Sequence, residues 1–549
     1  MTVTHRRIGT AIADLASNAA LVRVSVGWLL FVLAEYSVWI AMLVYAYGRG
    51  GATEAGLVAV AQLAPGILAG PLLSTLADRR SPVVLLVGGY VVQTAGMLAT
   101  ALVLYADGPA PAAYAAAIVA ATAVTATRPA QAALLPALAR NSDELTAANA
   151  VINWLENLAI MLSGLLTGLA LSTGQVGLVF AYGASCATGA AVSVASLKVR
   201  AISVRDAEEQ SGTFTAVREG LQILKQRPQP RLLVALLGAE YVVIGAMDVL
   251  FVVLAVSVLH ENTQWAGYLN TAYGVGGMAA GAVTISLLGR RLGIPIMFAA
   301  ATICVALAVT AFSHQAMVTV VLLGAIGLGR AVLDMAAHTL LQRTAPADVL
   351  GRIFGVVEGL SMAGLAAGSM LVPLLIHLGG TGAALVGTAA ILPLALLLGG
   401  RAIASLDAAA RVPIVEIALL RSMPHFRALP TPALEGLAQA ARRCTFADGE
   451  TIIRQGEPGD LFYAIADGQV DVSVDGVHIA TNRRPEGLGE IALLRKVPRT
   501  ATVVADGPVV LYALDGATFV TVVTGHAATR RHAEAVATTR LGSPGTIVR

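Results

Sequence analysis

Runs of apolar residues about 20 long recur along this chain, and a helix of about 20 residues is what crosses the hydrocarbon core of a bilayer. They lie at 22–47, 53–77, 82–106, 110–138, 145–171, 176–197, 231–259, 264–288, 293–313, 316–342, 349–377 and 380–400. Composition closes off the alternatives. Of 549 residues, 56% are hydrophobic and 13% are charged, against about 25% charged in a soluble chain. So few polar side chains cannot cover a water-soluble particle of this size, and a purely soluble protein is excluded. Aliphatic residues dominate and prolines number 22, which excludes disordered and fibrous classes. Cys186, Cys304 and Cys444 show neither metal-ligand nor disulfide spacing, so they read as apolar residues and no metal site is expected. The net charge of +3 points to no nucleic acid partner. The N-terminal segment lacks the short apolar core and cleavage site of a signal peptide.

From about residue 413 charges become frequent, apolar runs shorten to strand length and turn glycines recur, the pattern of a soluble β-rich domain. Loop charges orient the spans. One set of connections carries Asp78-Arg79-Arg80, Arg140, the segment Lys198 to Arg231, Arg290-Arg291 and Arg343; the alternate set carries little beyond Arg49, Asp107, Glu261 and His314. Both termini and the soluble domain are therefore expected in the cytoplasm, beneath the cell membrane. The expected organisation is a six-helix bundle at 1–197, a charged linker at 198–230, a second six-helix bundle at 231–400, a linker at 401–420 and the soluble domain at 421–549.

The two bundles repeat. Residues 34–44 read AEYSVWIAMLV and residues 239–249 read AEYVVIGAMDV. In the second helices Ala55-Gly56 matches Ala266-Gly267, Gly66 matches Gly277, and Arg79-Arg80 matches Arg290-Arg291. Arg128 and Glu156 are 28 residues apart, and so are Arg330 and Glu358. Parallel six-span repeats with a binding site where they meet describe one transporter architecture. Over roughly 20–400 the chain resembles the major facilitator superfamily. The segment GPLLSTLADRRSP (70–82) is similar to that family's signature between the second and third helices, with Ser74 where the family has glycine. The segment RPAQAALLPALARNSDELTAANAV (128–151) resembles drug and siderophore exporters of the enterobactin-exporter type, although the fifth span carries no Gly-Pro pair. The fold implied is a mainly α membrane protein of twelve transmembrane helices.

A carboxylate deep in a span is costly and normally faces a partner or an aqueous cavity. Glu35 and Glu240 lie near the middle of their spans, each followed by a tyrosine. They are candidates to bind a proton or a cationic substrate group, with Tyr36 and Tyr241 hydrogen-bonding to them. The bland alternative is a polar contact between helices, copied by duplication. Arg128–Glu156 and Arg330–Glu358 are expected ion pairs, either static or exchanging during the transport cycle. Asp248 and Asp334 are further candidates; Asp334 and His338 share a helix face at i, i+4 spacing. Asp78, Arg79 and Arg80 are expected to latch the cytoplasmic side closed.

In the C-terminal part, DGETIIRQGEPGDLFYAIADGQVDVSV (448–474) alternates apolar positions with turn glycines, and LGEIALLRKVPRTATVV follows at 488–504. These segments are similar to the cyclic nucleotide-binding domain, a β-roll with flanking helices, over about 415–540. Gly489 lets the backbone turn closely under a ligand, and a short helix beginning at Glu490 points free N–H groups at an anion. The resemblance implies that Arg499 and the amides of Ile491 and Ala492 hold the cyclic phosphate, Glu490 holds the ribose hydroxyl, and Thr500 touches phosphate or base. Arg530 and Arg531, on a helix at about 526–541, are weaker candidates to cover the base. A domain that keeps the fold without the ligand is the alternative. The expected ligand is cAMP, with cGMP possible.

Together these readings give a secondary transporter of the cell membrane, proton-coupled, exporting hydrophobic or amphiphilic small molecules. A cyclic nucleotide regulates it through the segment 401–425. A lipid or lysophospholipid flippase of the same fold, and a membrane-anchored sensor that transports nothing, are the alternatives. No nucleophile–base constellation and no triphosphate-binding loop is present, so neither catalysis nor ATP-driven pumping is expected.

Overall fold

A computed structural model of the chain describes residues 17–79, 81–140, 142–197, 213–226, 228–287, 291–344, 347–409, 414–423, 426, 429 and 431–525. The expected latch falls outside this at side-chain level (Asp78, Arg79) or altogether (Arg80), as do Arg530 and Arg531. The chain divides in the main after Ala410 into two compact units.

The first unit is helical: α1 Ala19–Arg79, α2 Pro82–Tyr105, α3 Ala110–Leu138, α4 Ser142–Leu171, α5 Val176–Ala195, α6 Thr213–Gln226, α7 Pro228–Val253, α8 Gln264–Leu287, α9 Gly293–Thr310, α10 Ala316–Thr344 and α11 Ala347–Ala409. Nine helices are long and apolar enough to cross a membrane, counted among the described residues. Large apolar side chains such as Leu102, Phe312 and Leu397 are exposed, which suits a surface solvated by lipid rather than water.

Two of these helices exceed 60 residues and are interrupted. In α1 the break is at Gly50 and Gly51, the latter at φ 64°, and in α11 it is at Gly379 and Gly380, the latter at φ 76°. A side chain at either left-handed position is strained, so these glycines are where the helices stop and restart. The helix α6 was not foreseen within the charged linker. It is held by an ion pair from Arg352 Nε to Glu219 Oε2 at 3.3 Å and by buried Leu224.

Small residues let helices approach closely without lipid-excluding side chains between them. A Cβ on Gly56 would meet the Ser369 carbonyl oxygen at 2.7 Å, and one on Gly267 would meet the Gly164 carbonyl oxygen at 2.5 Å. These two glycines match in the sequence repeat. Each packs against a helix of the opposite half, so the repeat is preserved in the backbone packing.

The second unit opens with helices α12 Ile414–Ser422 and α13 Thr431–Ala440, followed by β1 Arg442–Phe446, β2 Thr451–Ile453, β3 Leu461–Val474, β4 Val477–Arg483 and β5 Gly487–Leu488. The short helix α14 Glu490–Arg495, strand β6 Thr502–Asp515 and helix α15 Gly516–Gly525 complete it. The sheet runs β1-β6-β3-β4, with β2 added to β6 and β5 added to β3, all antiparallel. Its two 14-residue strands, β3 and β6, pair along most of their length with register shifts around Asp467. Phe426, Phe462 and Phe519 close the core where helices meet sheet, with ring centroids 4.4 to 5.9 Å apart.

Candidate functional site

The first unit places the repeated charges differently in its two halves. In the first half, Arg128 on α3 reaches two carboxylates at once. Its Nη1 donates to Glu156 Oε1 at 3.0 Å and its Nη2 to Glu35 Oε2 at 2.9 Å, while the guanidinium carbon lies 5.5 Å from the Trp28 ring centroid. The expected Arg128–Glu156 pair is present, and Glu35 joins it. Glu35 is thus an ion-paired group rather than a carboxylate waiting for a ligand.

The second half contains the same residue types without the same bonds. Arg330 on α10 forms no ion pair among the described residues, and its buried Nε has no hydrogen-bond partner. Its guanidinium carbon sits 5.8 Å from the Tyr273 ring centroid. Glu358, expected to pair with it, is exposed. The expectation fails because the Arg330 guanidinium lies against Tyr273 and borders a cavity, whereas Glu358 occupies an exposed helix face. Glu240 is 1% exposed, and among the described residues both its buried carboxylate oxygens have no hydrogen-bond partner. Tyr241 is half-buried. Asp334 is engaged locally, its Oδ1 lying 3.3 Å from His338 Nδ1, and the His338 ring stacks on Phe354 with centroids 5.8 Å apart.

Between the halves lies a cavity of about 610 Å³, open solvent included, bordered by Tyr36, Trp39, Asn157, Asp248, Tyr273 and Arg330. Tyr36, Asp248 and Arg330 were singled out from the sequence; Trp39, Asn157, Asn270 and Tyr273 were not. Asn157 and Asn270 were visible as polar residues inside apolar spans, the signal that marked the charged residues. Glu240 is not among the residues bordering this cavity.

In the second unit, Gly489 adopts φ 88° and directly precedes the six-residue helix α14. Glu490 and Arg499 are both buried, and Arg499 donates from Nη1 to the Gly489 carbonyl oxygen at 3.2 Å and from Nη2 to the Leu461 carbonyl oxygen at 2.7 Å. Its backbone is fixed as well, by N–H to Glu457 oxygen at 2.8 Å and by its own carbonyl accepting from Gly456 at 2.8 Å. A Cβ on Gly459 would meet Arg499 Nε at 2.7 Å, and one on Gly489 would strike Nη1. Both glycines therefore make room for the guanidinium. Burial pulls the Arg499 guanidinium below its ordinary value, opposed by Tyr463, Asp460 and Glu490, yet an arginine remains a cation. The two oxygens it bonds belong to neutral peptide groups, and the carboxylates of Asp460 and Glu490 act on it only through the field, so the guanidinium remains a cation at the start of α14. The amides of Ile491 and Ala492 belong to that first turn, whose N–H groups have no acceptor within the helix. Thr500 follows, half-buried.

The family described as Major Facilitator Superfamily matches residues 24–369, and the family described as Cyclic nucleotide-binding domain matches residues 443–526. A cAMP-dependent protein kinase regulatory subunit from Yarrowia lipolytica is 38% identical over 105 residues, 19% of this chain and 28% of that protein. The acetyltransferase Pat of Mycolicibacterium smegmatis is 42% identical over 113 residues, 20% of this chain and 34% of that protein. The chain thus spans about a third or less of the length of these relatives. A solved structure of the regulatory domain of Toxoplasma gondii PKA with cAMP matches at 22% identity and a TM-score of 0.23, covering 25% of this chain and 56% of that one.

Proposed function

The chain belongs to the Major Facilitator Superfamily and is a multi-pass membrane protein with a C-terminal cyclic nucleotide-binding domain. From that premise we propose that it is a secondary active transporter whose activity is set by cyclic nucleotide bound to that domain. Neither matched family is one of enzymes. The observation that carries the regulatory half of this reading is buried Arg499, a cation held by neutral carbonyls beside Gly489. A cyclic phosphate would take a charge-assisted contact from that guanidinium and further bonds from the Ile491 and Ala492 amides. Glu490 would accept from the ribose hydroxyl, and Thr500 would stand beside the phosphate or base. The ligand we favour is cAMP, because the relative from Yarrowia lipolytica is named for it.

For the transport half, we read twelve spans in two repeats by counting both segments of the two interrupted helices and adding α8. Loop arginines put both termini and the nucleotide domain in the cytoplasm. Export is the direction suggested by the resemblance to enterobactin-type exporters at 128–151. We assign the driving proton to Glu240, since a buried carboxylate with both oxygens unbonded is the group most relieved by gaining one. Glu35, already bound by Arg128, serves to hold the first half together. A membrane anchor that transports nothing has no use for a polar cavity between its halves. Nucleotide binding shifts the transporter only by its differential affinity for the two conformations, typically about 1–3 kcal/mol.

The test is calorimetric titration of cAMP and cGMP into the full-length protein in detergent, beside Arg499→Ala. Binding lost in the variant is the expected result; binding of equal strength in both would remove the assigned site, and no binding in the wild type would leave a domain with the fold alone.

A further inference from the structure

We infer, resting on the transporter reading above, that the cavity between the halves selects zwitterionic amphiphiles, with Arg330 receiving the anionic group and Asp248 the cationic one. Arg330 borders the cavity from α10 and Asp248 borders it from α7. Among the described residues, neither forms an ion pair within the chain; Asp248 accepts a hydrogen bond from the Trp39 indole and has no counter-charge bonded to it. The contrast with Arg128 gives this weight, because the matching arginine of the first half is held by two carboxylates at 2.9 and 3.0 Å. The chain therefore supplies an internal partner for one arginine and leaves the other facing the cavity with its buried Nε unbonded. Asn270, which also borders the cavity, has its buried Oδ1 unbonded as well.

A guanidinium is a planar fork of donors that matches carboxylate and phosphate oxygens. A charge without a counter-charge inside a membrane protein is costly until something pairs with it. A simple cation would satisfy Asp248 but be repelled by Arg330; a simple anion would satisfy Arg330 but meet Asp248. A molecule carrying both charges answers both residues and brings no net charge into the membrane. The walls add a second requirement. Ile160, Ile244, Met247 and Phe251 line the same cavity, and they offer apolar surface to an alkyl or aromatic body. Asp334 does not compete for the cationic group, since it is engaged by His338.

The experiment uses the full-length protein in maltoside micelles and four probes sharing a dodecyl chain: dodecylphosphocholine, lauryl betaine, laurate and dodecyltrimethylammonium. Binding is read from the change in intrinsic tryptophan fluorescence, titrated identically in the wild type and in each variant. Both zwitterions are expected to bind at least tenfold tighter than either singly charged probe. Arg330→Gln should erase the preference over dodecyltrimethylammonium, Asp248→Asn the preference over laurate, and Arg330→Lys should keep part of it. Dodecylphosphocholine ahead of lauryl betaine identifies a phosphate-bearing headgroup such as a lysophospholipid's; the reverse order identifies a carboxylate-bearing solute. Equal binding of all four probes, no binding of any, tightest binding of dodecyltrimethylammonium, or preferences unchanged in the variants would overturn the inference. Where Arg330→Gln fails to fold, Arg330→Lys and Asp248→Asn carry the same decision. Selective binding without movement of the bound probe in proteoliposomes would instead refute the transporter reading and leave the charge selection standing.

Discussion

The two halves of the membrane unit share their sequence pattern and part company in their bonding. Gly56 and Gly267 perform matching close contacts across the halves, so duplication has kept the packing. Arg128 and Arg330 do not match: one is enclosed by Glu35 and Glu156, the other lies against Tyr273 and forms no ion pair among the described residues. Packing is set by small residues that tolerate little change, whereas a charged side chain can be released from its partner whenever a cavity or ligand compensates. The same residue types are thus bonded in one half and left without an ion pair in the other, among the described residues. Arg499 supplies a third case, an arginine fixed entirely by backbone carbonyls. Its position is thus set by neutral groups, and it stays a cation.

The sharpest way to break the comparison is to remove each membrane arginine in turn. Arg128→Met strands two carboxylates and should cost about 3–5 kcal/mol of stability, while Arg330→Met should cost less than half of that. Denaturant unfolding in detergent measures both, and equal losses would abolish the contrast. Arg499→Ala should weaken cAMP binding by about 2–5 kcal/mol, the usual effect of deleting one member of a buried charged contact, with the domain still folded by circular dichroism.

The carboxylates provide a finer cut. Glu35→Gln halves an ion-paired network and should cost about 1–3 kcal/mol. Glu240→Gln replaces an unbonded acid by a neutral isostere, so its stability should stay within about 1 kcal/mol of wild type. In proteoliposomes the same Glu240→Gln variant should lose accumulation driven by a pH gradient and retain exchange of bound probe. Retained accumulation would move the proton elsewhere. A separate pair of effects belongs to the helix breaks. Gly51→Ala and Gly380→Ala each force a side chain into a conformation that is essentially glycine's alone (φ 64°, ψ −154° and φ 76°, ψ −173°) and should cost about 1–3 kcal/mol, seen as matched shifts in thermal unfolding; a large difference between them would mean that one break does more than join helices.

Much of this architecture was legible in the residues. Apolar length specifies membrane helices without reference to neighbours, as the correspondence of 316–342 with Ala316–Thr344 illustrates. Gly489 and Arg499 are ten residues apart, and a short loop leaves them little choice but to meet. The helix within the charged linker was hidden, because its stability comes from contacts such as Arg352 with Glu219 rather than from local sequence.

What the sequence determined by itself was the class of solvent, the duplication and the nucleotide domain; it offered the Arg128–Glu156 and Arg330–Glu358 pairs on equal terms. Tertiary structure alone decided that Glu35, 93 residues from Arg128, would join the first pair, and that Arg330 would forgo Glu358 at the same spacing of 28. It also gathered Trp39, Asp248, Asn270 and Tyr273 around one cavity. The reason is geometric. Each residue turns a helix by about 100°, so which side chain faces a neighbour depends on how whole helices rotate and cross. That rotation is fixed by packing summed over many small residues, and no single motif in the chain records it.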